Sequence, residues 1–514
     1  MGILSNSLAA GVGVSVRNTQ FKSEAGVLPR KLLVIGTIDA AKTGIPLEVP
    51  RLVLSPEEAD ADLGAGYMLS RLIRAAFTGA RNRIPIYYMA QAEAGGAASA
   101  AGSFAFTGTT TAAGSIYARV AGKLYTIPAA VGMTAAQAAT ALKAAIDADP
   151  PAPVTGVVAT GTLNVAAKSK GLWGNGISLS VNAHPELGEA LPAGLACTVT
   201  AMAAGAGVPS ISTALAALGT GSGANGDGFT ALVHGYMQDQ TTITAVADYV
   251  GRGNDAVALY DNLVGRPFRC LSGDVASGSA GLTALTTLSA LNKTDRANGI
   301  LAVPGSLSHP AEIAAQALAA MEAENNALAE AGYTDLILDG VDPGPVSARW
   351  TQEFASRDLA VKSGIGTTMV KNGAVVLQNV VTFYRPDSVP VGSNAYRSMR
   401  NLSIIQNLLA AKRANYEGEK WKRFTVVRDT KNVTDSASRA RARDISCVVD
   451  DELALIKSFA GRGWIYDPEF SIASLKKAGA VQVRGDGAGF VSTVAYILSG
   501  EGGKMVSVAV VGSW

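Results

Sequence analysis

GTTMVKNGAVVLQNVVTFYRPDSVPVGSNAYRSMRNLSIIQNLLAAKR, residues 366–413, is the stretch on which the reading of this chain turns. Its first half predicts two β-strands joined at Asn372-Gly373, because Asn-Gly tolerates the positive φ angles that a two-residue type I′ turn demands. Val375, Val376, Val380, Val381, Phe383 and Tyr384 supply the β-branched and aromatic bulk of a half-buried strand. Arg385-Pro386 closes that strand, since proline brings no N–H to a ladder. After a Pro/Gly loop, Ser393 or Asn394 is placed to cap a helix in which Met399, Leu402, Ile405 and Leu409 recur at helical spacing.

Upstream, strand and helix patterns alternate. Residues 229–233, 268–271, 300–303 and 336–338 read as strands, and 242–250, 282–291 and 310–331 as helices. Such alternation predicts a mostly parallel sheet covered on both faces. Near the N-terminus, residues 31–36 (KLLVIG) and 84–89 (IPIYYM) are strands flanking a helical pattern over 57–78. Composition shifts at Ala92 to a run of small residues, AEAGGAASAAGSFAFTGTTTAAGS, which reads as a flexible linker. It leads into an inserted unit with a hairpin around Gly122, an Ala-rich helix over 134–147 and short strands at 154–159, 163–168 and 177–181. Downstream, 438–459 reads as a long helix, and 481–484, 490–498 and 505–511 as strands. At the termini, Val12, Val14 and Val16, and again Val506, Val508 and Val510, alternate with other residues at the period of a strand.

The predicted class is therefore α/β, with a mostly parallel sheet core carrying helices on both faces, an inserted small α+β domain, a C-terminal α+β module and extended terminal arms. The boundaries fall at 1–30 for the N-terminal arm, 31–91 plus 205–365 for the core, 92–204 for the insertion and 366–514 for the C-terminal module.

A chain of 514 residues, 48% hydrophobic and 16% charged, describes a multidomain globular protein. Its net charge of +2 gives no global bias towards nucleic acid or an anionic membrane. The charge is uneven, however. Residues 395–443 carry twelve Lys and Arg against four Asp and Glu, a local +8 that leaves −6 elsewhere. Arg439, Arg441 and Arg443 lie in this block, which suits a solvated face or an acidic partner surface. Cys197, Cys270 and Cys447 lie far apart without C-x-x-C spacing, so neither a disulfide framework nor a zinc site is predicted. No signal peptide and no transmembrane span are expected.

Enzymatic readings find weak footing. GSGANG at 221–226 matches G-x-G-x-x-G, but a helical pattern precedes it and a strand follows, the reverse of a dinucleotide site. A serine triad needs a histidine base beside its nucleophile. Only His184, His234 and His309 are present, and Thr368 occupies the place of a serine in the echo GTTM. Asp335, Asp339 and Asp342 lack the loop pattern that calcium needs. Asp450, Asp451 and Glu452 point different ways on a helix. No catalytic residue, cofactor or metal is assigned. A subtilisin-fold hydrolase and a soluble α/β nucleotide-binding enzyme stand as alternatives.

The hairpin, loop and helix of 366–413 resemble the C-terminal module of contractile phage tail sheath proteins. The resemblance sharpens in three further segments: GSIYARVAGKLYTIPAAVGMTAAQAATALKAAIDA (114–148), VAAKSKGLWGNGISLSV (165–181) and LPAGLACTVTAMAAGAG (191–207). These look like the corresponding stretches of Mu-like sheath proteins, marked by Lys170-Gly171, GNGI at 174–177 and LPAG at 191–194. NKTDRANGILAVPGSLSHPA (292–311) also fits.

The resemblance implies a subtilisin-like fold core in a non-enzymatic structural subunit. Such subunits form hexameric rings stacked helically around a tail tube, and they contract to drive the tube through the host envelope. Implied partners are the chain itself, the tube protein, and baseplate and terminator proteins. Neither nucleic acid nor membrane insertion is implied, and the implied location is the virion tail, assembled in the host cytoplasm. Terminal strands at Val12, Val14 and Val16 and at Val506, Val508 and Val510 would add to neighbouring subunits, and the basic block at Arg439, Arg441 and Arg443 would line the tube-facing side.

Overall fold

A computed structural model describes residues 28–220, 224–251, 266–388 and 393–500. Both valine rows of the expected arms, and residues 221–223 of the GSGANG run, lie outside the described residues.

In chain order, the first elements are β1 (Leu32–Thr37), β2 (Arg51–Val53), α1 (Pro56–Leu63), α2 (Met68–Ala80) and β3 (Ile86–Gln91). Next come β4 (Ala101–Gly108), β5 (Gly114–Val120), β6 (Lys123–Ala129), α3 (Ala135–Asp147), β7 (Val154–Ala159), β8 (Thr162–Ala167), β9 (Leu179–Val181) and β10 (Leu195–Ala203). The alternating stretch comprises α4 (Ile211–Ala217), β11 (Ala231–His234), α5 (Gln240–Val250), β12 (Arg269–Asp274), α6 (Gly278–Leu291), β13 (Asn298–Ala302), α7 (Pro310–Ala327), β14 (Ile337–Leu338) and α8 (Phe354–Lys362). The chain ends with β15 (Gly366–Lys371), β16 (Ala374–Asn379), α9 (Met399–Tyr416), β17 (Thr425–Val426), α10 (Ser436–Arg441), β18 (Ala442–Arg443), α11 (Ile445–Gly461), α12 (Pro468–Leu475), β19 (Val481–Val483) and β20 (Phe490–Ser492).

The main sheet runs β14-β16-β15-β13-β12-β11-β1-β3-β2. From β15 to β3 every pairing is parallel, and antiparallel strands finish both edges. The physical reason is legible in β1, LLVIGT, whose six residues are all buried: a strand covered on both faces has no use for alternation. In β13 the two covers separate residue by residue. Ile300 and Ala302 pack with Ile243 of α5, Leu282 and Leu285 of α6 and Ala360 of α8. Leu301, on the opposite face, joins the larger core that α2 and α7 fill. The α/β class with helices on both faces is what the periodicity predicts.

Residues 101–203 form two further sheets, β10-β4-β8-β7 and β6-β5-β9. Helix α3 packs beside them, its start fixed by a capping box between Thr134 and Gln137.

Several expectations are corrected. The small-residue run after Ala92 is not simply a linker. Its segment AGSFAFTG is β4, an inner strand between β10 and β8 with Phe104 and Phe106 buried, because two aromatics on one face outweigh flanking Gly and Ala. The helix expected over 57–78 is two helices, broken where Gly64 and Gly66 take positive φ. The strand after Asn372-Gly373 stops at Asn379, and Val381 makes only an isolated bridge to Ser398. The helix expected over 438–459 is two helices, α10 and α11, because Ala442–Arg443 between them pairs as a strand with Thr425–Val426 and Asp444 caps the start of α11. The strand expected over 490–498 is confined to Phe490–Ser492.

Candidate assembly surface

In an open α/β sheet, ligands are held outside the carboxyl ends of the strands. Here that end is filled. The 3₁₀ turn Leu172–Gly176 lies over it, with Trp173 stacked on His309 at a ring distance of 4.6 Å. A Cβ added at Gly176 would meet the His309 ring at 2.7 Å, so only glycine admits this approach. Nε2 of His309 bonds the Trp173 carbonyl at 2.9 Å, and Nδ1 accepts from the Ala311 amide at 3.2 Å as the N-cap of α7. His234 accepts from the Tyr236 amide at 3.3 Å, and burial pushes its imidazole down to about 4. Thr368, in the place of the serine, donates to the Ala302 carbonyl at 2.8 Å. Both histidines thus bond backbone, and neither is hydrogen-bonded to Thr368.

Each acidic residue of the 335–342 group has its own basic partner. Asp335 pairs with Lys371, Asp339 with Arg81, and Asp342 with His184. Among the described residues, no three His, Cys, Asp or Glu side chains are placed to hold a metal ion, and no helix is long and apolar enough to cross a membrane.

The opposite, amino end of the strands carries a polar network that the sequence did not announce. Glu322 of α7 is fully buried and ion-paired to Arg269 of β12, with Arg30 at 3.8 Å. Arg269 also donates to the Tyr333 hydroxyl and the Met399 carbonyl, each at 2.7 Å, and Thr230 donates to Glu322 at 2.7 Å. Arg30 reaches Gln406 of α9 at 2.6 Å, and Gln406 in turn bonds the carbonyls of Thr230 and Pro267. Burial alone would raise the Glu322 carboxyl, but Arg269 and then Arg30 outweigh it and hold the group below the usual range. The root of the N-terminal segment, the sheet, α7 and α9 are thereby tied at one buried point. Arg30, Arg269, Glu322 and Gln406, with 376 positions between the first and the last, give no local signal of such a cluster.

Helix α9 continues from this point into a second core. Met399 and Leu402 pack in the sheet's core, whereas Ile404, Leu408 and Ala411 pack with Leu455, Ile456, Phe459 and Trp464. Beside that second core, buried Glu452 accepts from Tyr416 at 2.8 Å, Ser492 at 3.0 Å and Lys412 at 3.2 Å, joining α9, α11 and β20.

The basic block is divided by this packing. Lys412 and Lys420 are consumed by Glu452 and Asp451. Asp429, Asp435 and Asp444 act as helix caps, which leaves Arg423, Arg428 and Lys431 on the same segment without those carboxylates as ion-pair partners. Arg439 and Arg441 are exposed on α10. Arg443 is half-buried in β18, donating to the carbonyls of Lys420, Ala440 and Ala442.

Against known proteins, the chain is 26% identical over 416 residues to the Mu-like prophage FluMu tail sheath protein of Haemophilus influenzae, covering 80% of each sequence. The crystal structure of the sheath tail protein from Desulfitobacterium hafniense aligns over 95% of this chain and 98% of that one, with a TM-score of 0.43 and 11% identity. No protein-family model matches the chain.

Proposed function

We propose that this chain, which is similar over four fifths of its length to a Mu-like tail sheath protein, is a structural subunit of a contractile phage tail sheath or a tail-like particle. That similarity is the observation that carries the reading. Six copies form a ring, rings stack helically around a tail tube, and contraction drives the tube through the host envelope. The location is the virion tail. Terminal strands at Val12, Val14 and Val16 and at Val506, Val508 and Val510 link neighbouring copies, because an extended segment gains from a sheet edge supplied by another subunit. Such head-to-tail links generate helical arrays instead of closed dimers. Arg439, Arg441 and Arg443 face the tube.

The reading is non-enzymatic. It is supported by His234 and His309 being buried, with each one's bonded ring nitrogens engaged by backbone and not by a nucleophile. Negative-stain electron microscopy of the purified chain tests the proposal: filaments or hollow tubes are expected. Discrete monomers at all concentrations, or cleavage of a peptide substrate that is lost on His234→Ala, would overturn it.

A further inference from the structure

The inserted unit rests on the core at several points. The Trp173 ring stacks on His309, the Met68 amide donates to Ser169 Oγ at 2.8 Å, and Lys168 donates to the Ala65 carbonyl at 3.1 Å. A separate contact lies on the link between β9 and β10, residues 182–194. There a 3₁₀ turn, Pro185–Leu187, follows His184, whose side chain is 5% exposed. Its Nδ1 lies 2.8 Å from Glu186 of the same turn, and its Nε2 lies 2.8 Å from Asp342 of the core.

Two carboxylates on one imidazole fix its proton count. An ionised carboxylate only accepts, whereas a neutral imidazole offers one N–H and one lone pair. With a single ring proton, one nitrogen would turn its lone pair towards a carboxylate. Both contacts are hydrogen bonds only when the ring carries two protons and a positive charge. The other charges around it are already committed. Glu189 bonds the His184 amide at 3.0 Å and is paired with Arg119 of β5. Arg349, which acts on Glu186 from the core side, donates to the Pro343 and Gly344 carbonyls. Asp342 also accepts from the Gly344 amide at 2.8 Å and the Leu307 amide at 3.4 Å, so the core side of the contact is held without the ring. Burial depresses the imidazole pKa, but the bonds to Asp342 and Glu186 outweigh it and raise it.

We propose that His184 is a proton-operated clasp: as an imidazolium it fastens the 182–194 link of the inserted unit to Asp342 of the core, and on losing its proton it lets the link go. The rest of the insertion keeps its seat through the Trp173, Ser169 and Lys168 contacts. The link is closed at low pH and opens as pH rises through the folded-state pKa of the ring. Linkage sets the size of the effect. For each unit by which that pKa exceeds about 6.5, closure is about tenfold weaker once the proton has left. The clasp belongs to the single subunit and does not rest on the sheath reading.

Two measurements on the full chain test it. Deuterium exchange at the imidazole Cε1 position, followed by mass spectrometry against pH, should place the His184 pKa above about 6.5. Amide exchange over 182–194, corrected for its intrinsic rise with pH, should accelerate through that same pH, by about tenfold for each unit of the rise. The peptide holding residues 169–173 should not follow it. Asp342→Asn should lower the His184 pKa and flatten the amide response of the link. A His184 pKa at or below about 6.5, or a link whose protection ignores a raised one, overturns the clasp. So does an acceleration that spreads equally to residues 169–173, since the whole insertion would then be loosening. Should Asp342→Asn fail to fold, the two titrations of the natural chain decide alone.

Discussion

Glu322 shows what a single residue decides. Its carboxylate neutralises one of two buried guanidiniums, and removing it leaves Arg269 and Arg30 together in the interior. Breaking a buried pair from one side costs about 3–5 kcal/mol. Glu322→Gln is therefore expected to lower the unfolding free energy by that order in urea titration, and a loss under about 1 kcal/mol would show the network to be dispensable. His184 is the titrating counterpart. It lies between Glu186 and Asp342, each at 2.8 Å, with Glu189 on its backbone amide and Arg119 bound to Glu189. Burial depresses its pKa, but the hydrogen bonds to Asp342 and Glu186 outweigh that and raise it. A histidine raised on folding contributes stability that is fully present below its unfolded value of about 6.5 and is lost as pH climbs through the folded value. Buried His234 works the other way, losing stability as pH falls below about 6.5. The melting-temperature gap between the natural chain and His184→Gln isolates the first effect. It should be widest below about pH 6.5 and close as pH rises through the folded value; a gap independent of pH would refute the assignment.

At the scale of elements, the β15–β16 turn is the clearest case of sequence dictating conformation. Asn372 and Gly373 have φ of 51° and 78°, and the register closes Lys371 on Ala374. A Cβ at Gly373 would touch nothing within 4 Å, so any cost of substitution there is backbone strain alone. Gly373→Val should lose about 1–2 kcal/mol. Gly461→Ala, equally open but without positive φ, should be neutral or slightly stabilising. Equal effects at both sites would remove the turn argument. Helix α9 is harder to read. Its buried face includes Ser403, Gln406 and Asn407, whose polarity hides the stripe that Met399, Leu402 and Leu408 mark.

For the whole molecule, three apolar clusters, two of them joined through α9, and one buried polar network hold the subunit together through contacts among the described residues. On the strand-exchange proposal, deleting residues 1–18 should leave the melting temperature nearly unchanged and yet abolish tubes. Arg30 and its partners remain in place in that variant, as do Leu28 and its bond to Asn407. Val14→Pro should act similarly, since it removes one ladder donor and fixes φ away from the strand value. Tubes from the truncated chain, seen by electron microscopy, would sink the mechanism.

By itself the sequence determined the alternation of strands and helices, the Asn372-Gly373 turn, the Ala-rich helix after Thr134 and the α/β class. Each of these rests on residues within a few positions of one another, where propensity, capping and periodicity act directly. It also carried the segments that resemble Mu-like sheath proteins. Tertiary structure decided the rest, because it depends on which distant residues meet. AGSFAFTG has Phe104 and Phe106 on one face, but its place as an inner strand depends on β8 and β10 flanking it. Arg443 meets the carbonyls of Lys420 and Ala440 only once the loop has folded. Arg30, Arg269 and Glu322 gained their roles only when folding removed them from water. A charge's meaning is set by its dielectric and its partners, and neither is written beside it in the chain.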